Sequence, residues 1–274
     1  MSRSLSSVGP VMLVGAGKMG LALAQGWLDG GLPPANLILI DPAPAEATLA
    51  LVEDYGLNLY PEASGIQPNV VVVAVKPQII DGVLEALRPV IGRHTVGLSI
   101  AAGIDIARLQ RGLDTDRVVR TMPNTPAQVG KGMTGAVAAP AVDEAAREGV
   151  EALLAAVGKV AWFDDEADID ALTAVSGSGP AYVFYLVEAL AAAGEQQGLS
   201  PDVAMTLSRQ TIVGAAALLD ADPTSAAQLR KNVTSPNGTT AAALEVLMAP
   251  DGLAPVLDRA VAAARRRSEE LGQS

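Results

Sequence analysis

The sequence predicts two domains of different class: a doubly wound α/β domain with a mainly parallel sheet over residues 1–163, then an all-α domain over 164–274. Three observations carry this. Short β-rich runs alternate with helical stretches through the first half, a glycine-rich turn joins the first run to the first helix, and beyond Phe163 only helical patterns remain.

Val11–Val14 is the first strand, and the helix after it runs from about Lys18 to Gly30. Leu37–Ile40 and a helix over Pro44–Tyr55 repeat the unit. Val70–Val75 is a continuous apolar run, as expected of a strand covered on both faces of a parallel sheet. Thr95–Ile100, Arg117–Met122 and Thr134–Ala138 read as further strands, and a helix over Asp143–Val157 leads to the last one, Lys159–Phe163. The acidic run Asp164–Asp168 suits a linker and a helix start, since carboxylates favour the positive end of a helix. Helical patterns then cover Ile169–Gln197, Pro201–Asp220, Ser225–Asn232, Thr239–Met248 and Leu253–Leu271, with Ser200 and Pro201 placed as N-cap and first helical residue of the second.

Composition narrows the function. Half of the 274 residues are hydrophobic but only 3% are aromatic, so alanine-rich helix packing is favoured over a β-sandwich. The net charge of −11 argues against a nucleic-acid binder, which needs a basic surface. There is no cysteine and one histidine, so disulfides, thiolate metal sites and multi-histidine metal sites within one chain are excluded. The Met1–Ser7 segment lacks the apolar core of a signal peptide, and Ala171–Val187 is broken by Ser-Gly-Ser-Gly-Pro, so no membrane span is expected and a cytoplasmic location is. The helical domain, about 110 residues and rich in alanine, has little bulk with which to close a core by itself; completing it across a dimer interface is the expectation.

Gly15-Ala16-Gly17-Lys18-Met19-Gly20 follows a strand and opens a helix, the context in which this spacing binds a dinucleotide. Gly15 permits the tight turn, Gly17 lets backbone approach a pyrophosphate, and Gly20 lets helix and strand pack closely. Asp41, at the end of the second strand, is placed to accept hydrogen bonds from the adenosine ribose and to repel a 2′-phosphate. No arginine follows it, only Pro42-Ala43-Pro44, which leans toward NAD over NADP; capping of the next turn is the plainer role for Asp41. Ala74-Val75-Lys76-Pro77 sits at the carboxyl edge of the sheet, with Lys76 either near the cofactor ribose or simply solvated. Ser99–Gly103, including Ala101, and Met122–Pro126 end the next two strands. Small residues there leave room for a nicotinamide ring, and Asn124 and Thr125 are candidates for its carboxamide.

A second loop, Thr234-Ser235-Pro236-Asn237-Gly238-Thr239-Thr240, opens onto the helical run 241–248. The first N–H groups of a helix lack internal partners and can receive an anion. A cofactor loop at one end of the chain and an anion-receiving loop at the other suggest an enzyme with two substrates.

With Gly15–Gly20, Ala74–Pro77, Met122–Pro126, Ser176-Gly177-Ser178-Gly179-Pro180-Ala181-Tyr182 and Thr234–Thr240 in order, the chain resembles pyrroline-5-carboxylate reductase from about residue 11 to 270. The resemblance implies reduction of 1-pyrroline-5-carboxylate to L-proline with NADPH or NADH, the last step of proline biosynthesis. It also implies a Rossmann domain followed by a helical dimerisation domain, and assembly beyond the dimer, commonly as a decamer. Ser235, Asn237, Gly238 and Thr239 would then hold the substrate, its carboxylate on Ser235 and the backbone amides near Asn237 and Gly238, and the Thr240 hydroxyl would reach the ring nitrogen as the catalytic group. Two positions depart from the family pattern: Asn237 stands where glycine is usual and Lys231 where an acid is usual. Asn tolerates a left-handed backbone, so the loop should still form. Asp41-Pro42 departs from the basic stretch of NADP-preferring members.

The chemistry agrees. Ketone reduction needs a proton donor, and the one histidine, His94, lies in a loop before a strand. A cyclic imine is basic enough to arrive protonated, so orientation of donor and acceptor carbons at about 3–3.5 Å could carry much of the acceleration. A β-hydroxyacid dehydrogenase would resemble this architecture but carries a catalytic lysine on its interdomain helix, and Tyr182–Leu190 has none. Another small-imine reductase and a non-catalytic nucleotide-sensing relative are the remaining alternatives. Ser176–Pro180 reads first as a helix packing and bending segment; its bend would also bring Ser178 near the cofactor, and Ser178 is a candidate substrate contact.

Overall fold

The computed structural model describes residues 4–272, so the start of the Met1–Ser7 segment lies outside them. The chain forms two compact units, residues 1–178 with 264–274, and residues 179–263.

The first unit is built on one sheet of eight strands, β1 (Val11–Val14), β2 (Leu37–Ile40), β3 (Asn58–Tyr60), β4 (Val70–Val73), β5 (Val96–Ser99), β6 (Val118–Met122), β7 (Gly132–Ala138) and β8 (Gly158–Trp162). Their order is β3-β2-β1-β4-β5-β6-β7-β8. All neighbours are parallel except β6 and β7, which run antiparallel, with Thr121 opposite Ala136. The order reverses between β1 and β4, the switch point at which such sheets bind ligands. β1, β2 and β4 are buried at every residue.

Alternate side chains of these strands feed two cores. Val11, Leu13, Leu37, Leu39, Val70 and Val72 meet Leu23 and Trp27 on one face. Met12, Val14, Ile38, Ile40, Val71 and Val73 meet Ile80, Leu84, Leu109 and Leu113 on the other. That double burial is why the strands read as unbroken apolar runs. Trp27 is fully buried, and its indole N–H donates to the Leu153 carbonyl at 2.9 Å, so its one polar atom is satisfied.

The helices of this unit are α1 (Lys18–Asp29), α2 (Glu46–Tyr55), α3 (Ile80–Leu87), α4 (Ile106–Leu113), α5 (Glu144–Ala155) and α6 (Asp168–Leu172). Three of them have a local reason to start or stop. Asp105 caps α4 by accepting from the Arg108 N–H at 2.6 Å, and Asp143 caps α5 by accepting from Ala146 at 2.8 Å. Gly56 ends α2 in the left-handed region, where a side chain would strain the backbone.

Contacts divide the chain after Ser178, later than the boundary expected at Phe163. The intervening segment is held to the sheet rather than free. Ile169 and Leu172 of α6 are buried, and Leu172 fills the space left by Gly135 of β7. Glu166, expected in a linker, accepts from the buried Arg120 guanidinium at 2.8 Å and from the Ile106 N–H at 2.8 Å. α6 runs into a π-turn over Thr173–Gly177, which ends at Ser178.

The second unit holds α7 (Gly179–Gln196), α8 (Pro201–Ala221), α9 (Ala226–Asn232), α10 (Thr239–Leu247) and the first part of α11 (Leu253–Gly272). Pro180 stands in the first turn of α7 and starts that helix. Pro201 opens α8 as expected, although the Ser200 side chain makes no capping hydrogen bond. Within this unit only Ala191, Ala204 and Ser208 are buried, while Phe184, Tyr185, Val213, Leu218 and Val246 are each at least 60% exposed. No helix among the described residues is long and apolar enough to cross a membrane.

Candidate active site

The first site lies at the carboxyl edge of the parallel strands. Gly15 turns the chain out of β1 with φ at 91°, and a Cβ there would lie 2.9 Å from the Ala74 carbonyl. A Cβ on Gly20 would lie 2.2 Å from the Gly15 carbonyl, so α1 can sit this close to the loop only through glycine. Gly17 differs. As N-cap of α1 it has ordinary dihedrals, it is exposed, and a Cβ would meet nothing within 4 Å. Its missing side chain leaves open space in front of the first α1 amides, which have no side-chain cap. That space suits a pyrophosphate, and the protein's own packing gives no other reason for glycine there.

Ala16, between these glycines, is held at both ends of its peptide. Its N–H donates to Asp41 Oδ2 at 2.9 Å, and its carbonyl accepts from the hydroxyl of Thr48, which is fully buried, at 3.0 Å. Asp41 Oδ1 accepts from the Ala43 N–H at 2.9 Å. Asp41 therefore caps its own turn and braces the glycine loop. Thr48 was not legible as a site residue, because a lone threonine inside a helix carries no motif.

A cleft of about 410 Å³ extends from this loop along the sheet edge. It is lined by Gly17, Lys18 and Met19, by Ala74–Pro77 after β4, by Ile100–Ala102 after β5, by Met122–Thr125 after β6, and by Gly177 of the π-turn. The structure thus brings together most of the residues expected around a cofactor. Gly15, Ala16, Gly20 and Asp41 stand behind the surface or beside it and shape the loop. Lys76 is exposed at the cleft rim.

Asn124 has another job. Its Oδ1 accepts from the Met133 N–H at 2.8 Å, and its Nδ2 donates to the Ser176 carbonyl at 3.1 Å and hydroxyl at 3.2 Å. The side chain expected near a carboxamide also ties the β6 loop to the π-turn. Ser178 follows the cleft-lining Gly177 and is half-buried; its N–H donates to Thr173 at 2.8 Å.

His94 precedes β5. It therefore sits at the amino ends of the parallel strands, at the opposite edge of the sheet from the cleft. Among the described residues no cluster of three His, Asp or Glu could hold a metal ion.

The second loop belongs to the other compact unit. Asn237 has φ at 59°, in the left-handed region that asparagine tolerates. The Gly238 N–H donates to the Ser235 carbonyl at 3.1 Å, closing the turn, and Gly238 is the N-cap of α10. No side chain caps this helix, so Thr240 is not its cap and the N–H groups of Thr239 and Thr240 lack the usual capping acceptor. Ser235, Asn237 and Thr239 are exposed, and Thr240 is half-buried. Lys231 is exposed in the last turn of α9.

Fold and loops together define a dinucleotide-dependent oxidoreductase whose helical C-terminal region is made for self-association. The model for the pyrroline-5-carboxylate reductase dimerisation family matches residues 166–271, and that for NADP oxidoreductase, coenzyme F420-dependent, matches residues 10–103. The chain is 42% identical to the pyrroline-5-carboxylate reductase of Pseudomonas aeruginosa over 96% of its own length and 97% of that protein's. It is 36% identical to the Glycine max enzyme of the same name, covering 94% of both. Among solved structures, a pyrroline-5-carboxylate reductase from Coxiella burnetii superposes with a TM-score of 0.92 at 33% identity, covering 98% of this chain and 100% of that one. The Plasmodium falciparum pyrroline carboxylate reductase, solved with NADP bound, superposes with a TM-score of 0.80 at 29% identity, covering 97% and 99%. The chain belongs to the pyrroline-5-carboxylate reductase family.

Proposed function

We infer that this protein reduces 1-pyrroline-5-carboxylate to L-proline with a reduced nicotinamide dinucleotide, as a homodimer formed through its helical domain. The observation that carries the reading is Gly17: a glycine that no protein contact requires, at the uncapped start of α1 and the mouth of a cleft along the sheet edge. The bound nicotinamide would supply the hydride. Gly17 and the α1 amides would hold the pyrophosphate, while Ala74–Pro77, Ala101 and the Asn124–Thr125 backbone would line the reacting half.

The Ser235–Gly238 turn and the first amides of α10 would take the substrate carboxylate, with Thr239 and Ser178 as further contacts. The Thr240 hydroxyl would hydrogen-bond the ring nitrogen. A protonated imine needs no strong acid, because the electron pair released as hydride adds to carbon remains on nitrogen. His94, at the far edge of the sheet, is not needed, which favours imine over ketone reduction.

NADH is the donor this site favours. Asp41 is fixed by two backbone N–H groups, one from the glycine loop and one from its own turn. Residues 41–48 contain no Lys or Arg to neutralise a 2′-phosphate. A second phosphate placed beside this carboxylate would meet like charge, whereas ribose hydroxyls could donate to it.

Mixing the protein with 1-pyrroline-5-carboxylate and either cofactor, and following absorbance at the reduced nicotinamide band, tests the reading. Oxidation faster with NADH than NADPH is expected; none with either would sink it. Assembly of dimers into a decamer and a cytoplasmic location go with this proposal, and light scattering and cell fractionation test them.

A further inference from the structure

The last turns of α11 belong to the first compact unit, and they contact α6 and the loop after β5. Ser268 is 8% exposed, the one buried residue of α11, and its hydroxyl donates to Asp170 Oδ1 of α6 at 2.5 Å. Three residues on, the Leu271 carbonyl lies against Gly103, where a Cβ would come within 3.0 Å. Gly103 has φ at 74°, so it is glycine for two reasons, its backbone angle and this close approach.

Both partners lie on segments that lead to the cleft lining. Gly103 follows Ile100–Ala102, which line the cleft after β5, and Asp170 precedes by one turn the π-turn whose Gly177 lines its other side. The glycine loop and Asp41 follow β1 and β2, on the other side of the switch point. π-turns inside helices are costly local geometries that persist where surrounding contacts hold them.

We propose that the C-terminal turn Ser268–Leu271 is a positioning element for the half of the cleft beyond β4, setting the spacing between the 100–103 loop and the π-turn and thereby the fit of the nicotinamide half of the cofactor. The adenosine half depends on the glycine loop, Asp41 and Thr48, and is independent of the tail. This rests on the reading of the cleft as a dinucleotide site.

The prediction is asymmetric. Truncation after Arg267 raises the dissociation constant for NADH at least fivefold, measured by fluorescence titration, while that for ADP, which lacks the nicotinamide half, stays within twofold. Ser268→Ala and Asp170→Ala shift NADH binding the same way by about twofold to threefold. Asp170→Asn, which keeps an acceptor oxygen, restores it. Equal weakening of NADH and ADP would reduce the tail to scaffold and overturn the proposal, as would NADH binding that no variant changes. Tight ADP binding with no NADH or NADPH binding by the unaltered protein would remove the dinucleotide reading itself, a failure separate from either. Where the truncated chain does not stay folded, the point variants decide.

Discussion

The two compact units use hydrophobic residues in opposite ways. In the first, two cores sandwich the sheet and residues such as Leu13, Leu23, Leu39 and Val72 are wholly hidden. In the second, helices of similar apolar content leave Phe184 62%, Tyr185 71% and Val246 71% exposed, apolar surface that a partner can bury. One unit closes around its own sheet and offers a cleft at the edge. The other leaves much of its apolar surface open, in keeping with the dimerisation family that matches it, and in the proposed homodimer a second copy covers that surface. Burial and association are the same physics, applied once within a chain and once between chains.

The contrast can be broken most severely at the helical unit. Phe184→Asp with Leu218→Asp puts charge into the surface that a partner would bury. We expect monomers by light scattering and loss of more than 95% of turnover, with NADH binding by the first unit retained. A dimer that persisted would mean association uses another face.

Thr240→Ala should lower turnover well over tenfold per folded enzyme while leaving the NADH dissociation constant unchanged. If the only change were about 1 kcal/mol of stability, as for a lost helix cap, the hydroxyl would have no part in the chemistry. Thr240→Ser, which keeps the hydroxyl, should retain most activity.

The glycine loop gives a finer comparison. Gly17→Ala should leave the melting temperature unchanged and weaken NADH about tenfold, since its Cβ would enter only the open space. Gly20→Ala should instead destabilise the protein by roughly 1–3 kcal/mol, because its Cβ collides with the Gly15 carbonyl. Equal effects of the two would remove the argument for a ligand at Gly17.

The smallest effect concerns acid. The Ala146 N–H, and then the Arg117 guanidinium, hold the Asp143 carboxyl below its ordinary value. A group depressed on folding contributes stability above its unfolded value and loses it as pH falls through the folded one. Asp143→Ala should therefore lower the melting temperature slightly at neutral pH, and the difference should vanish in acid below the carboxylate range.

Much of this was legible in the chain. Val11–Val14, Leu37–Ile40 and Val70–Val73 are readable because both faces are buried, so no polar residue interrupts them. β3 escaped: Asn58–Tyr60 is a short, partly exposed edge strand with no such run. α3 and α4, only eight residues each, are too short for their helical periodicity to stand out between the strand runs. The loops that line the cleft were legible because glycine and proline punctuate strand ends. What could not be read was the use of long-range partners: Thr48 on Ala16, Asn124 on Ser176, and Ser268 on Asp170 each join residues far apart in sequence and carry no local pattern. For the same reason Asp164–Asp168 looked like a linker, although Glu166 is bound by Arg120 from the sheet.

The central claim is that hydride passes from a reduced nicotinamide dinucleotide to the imine carbon of 1-pyrroline-5-carboxylate. Isotope transfer tests it most directly. Incubation with 1-pyrroline-5-carboxylate and NADH deuterated on both hydrogens at nicotinamide C4, followed by mass spectrometry and NMR of the product, should give proline. It should carry one deuterium, on the ring carbon that adjoins nitrogen and bears no carboxylate. Unlabelled proline, or cofactor oxidation without proline, would contradict the account.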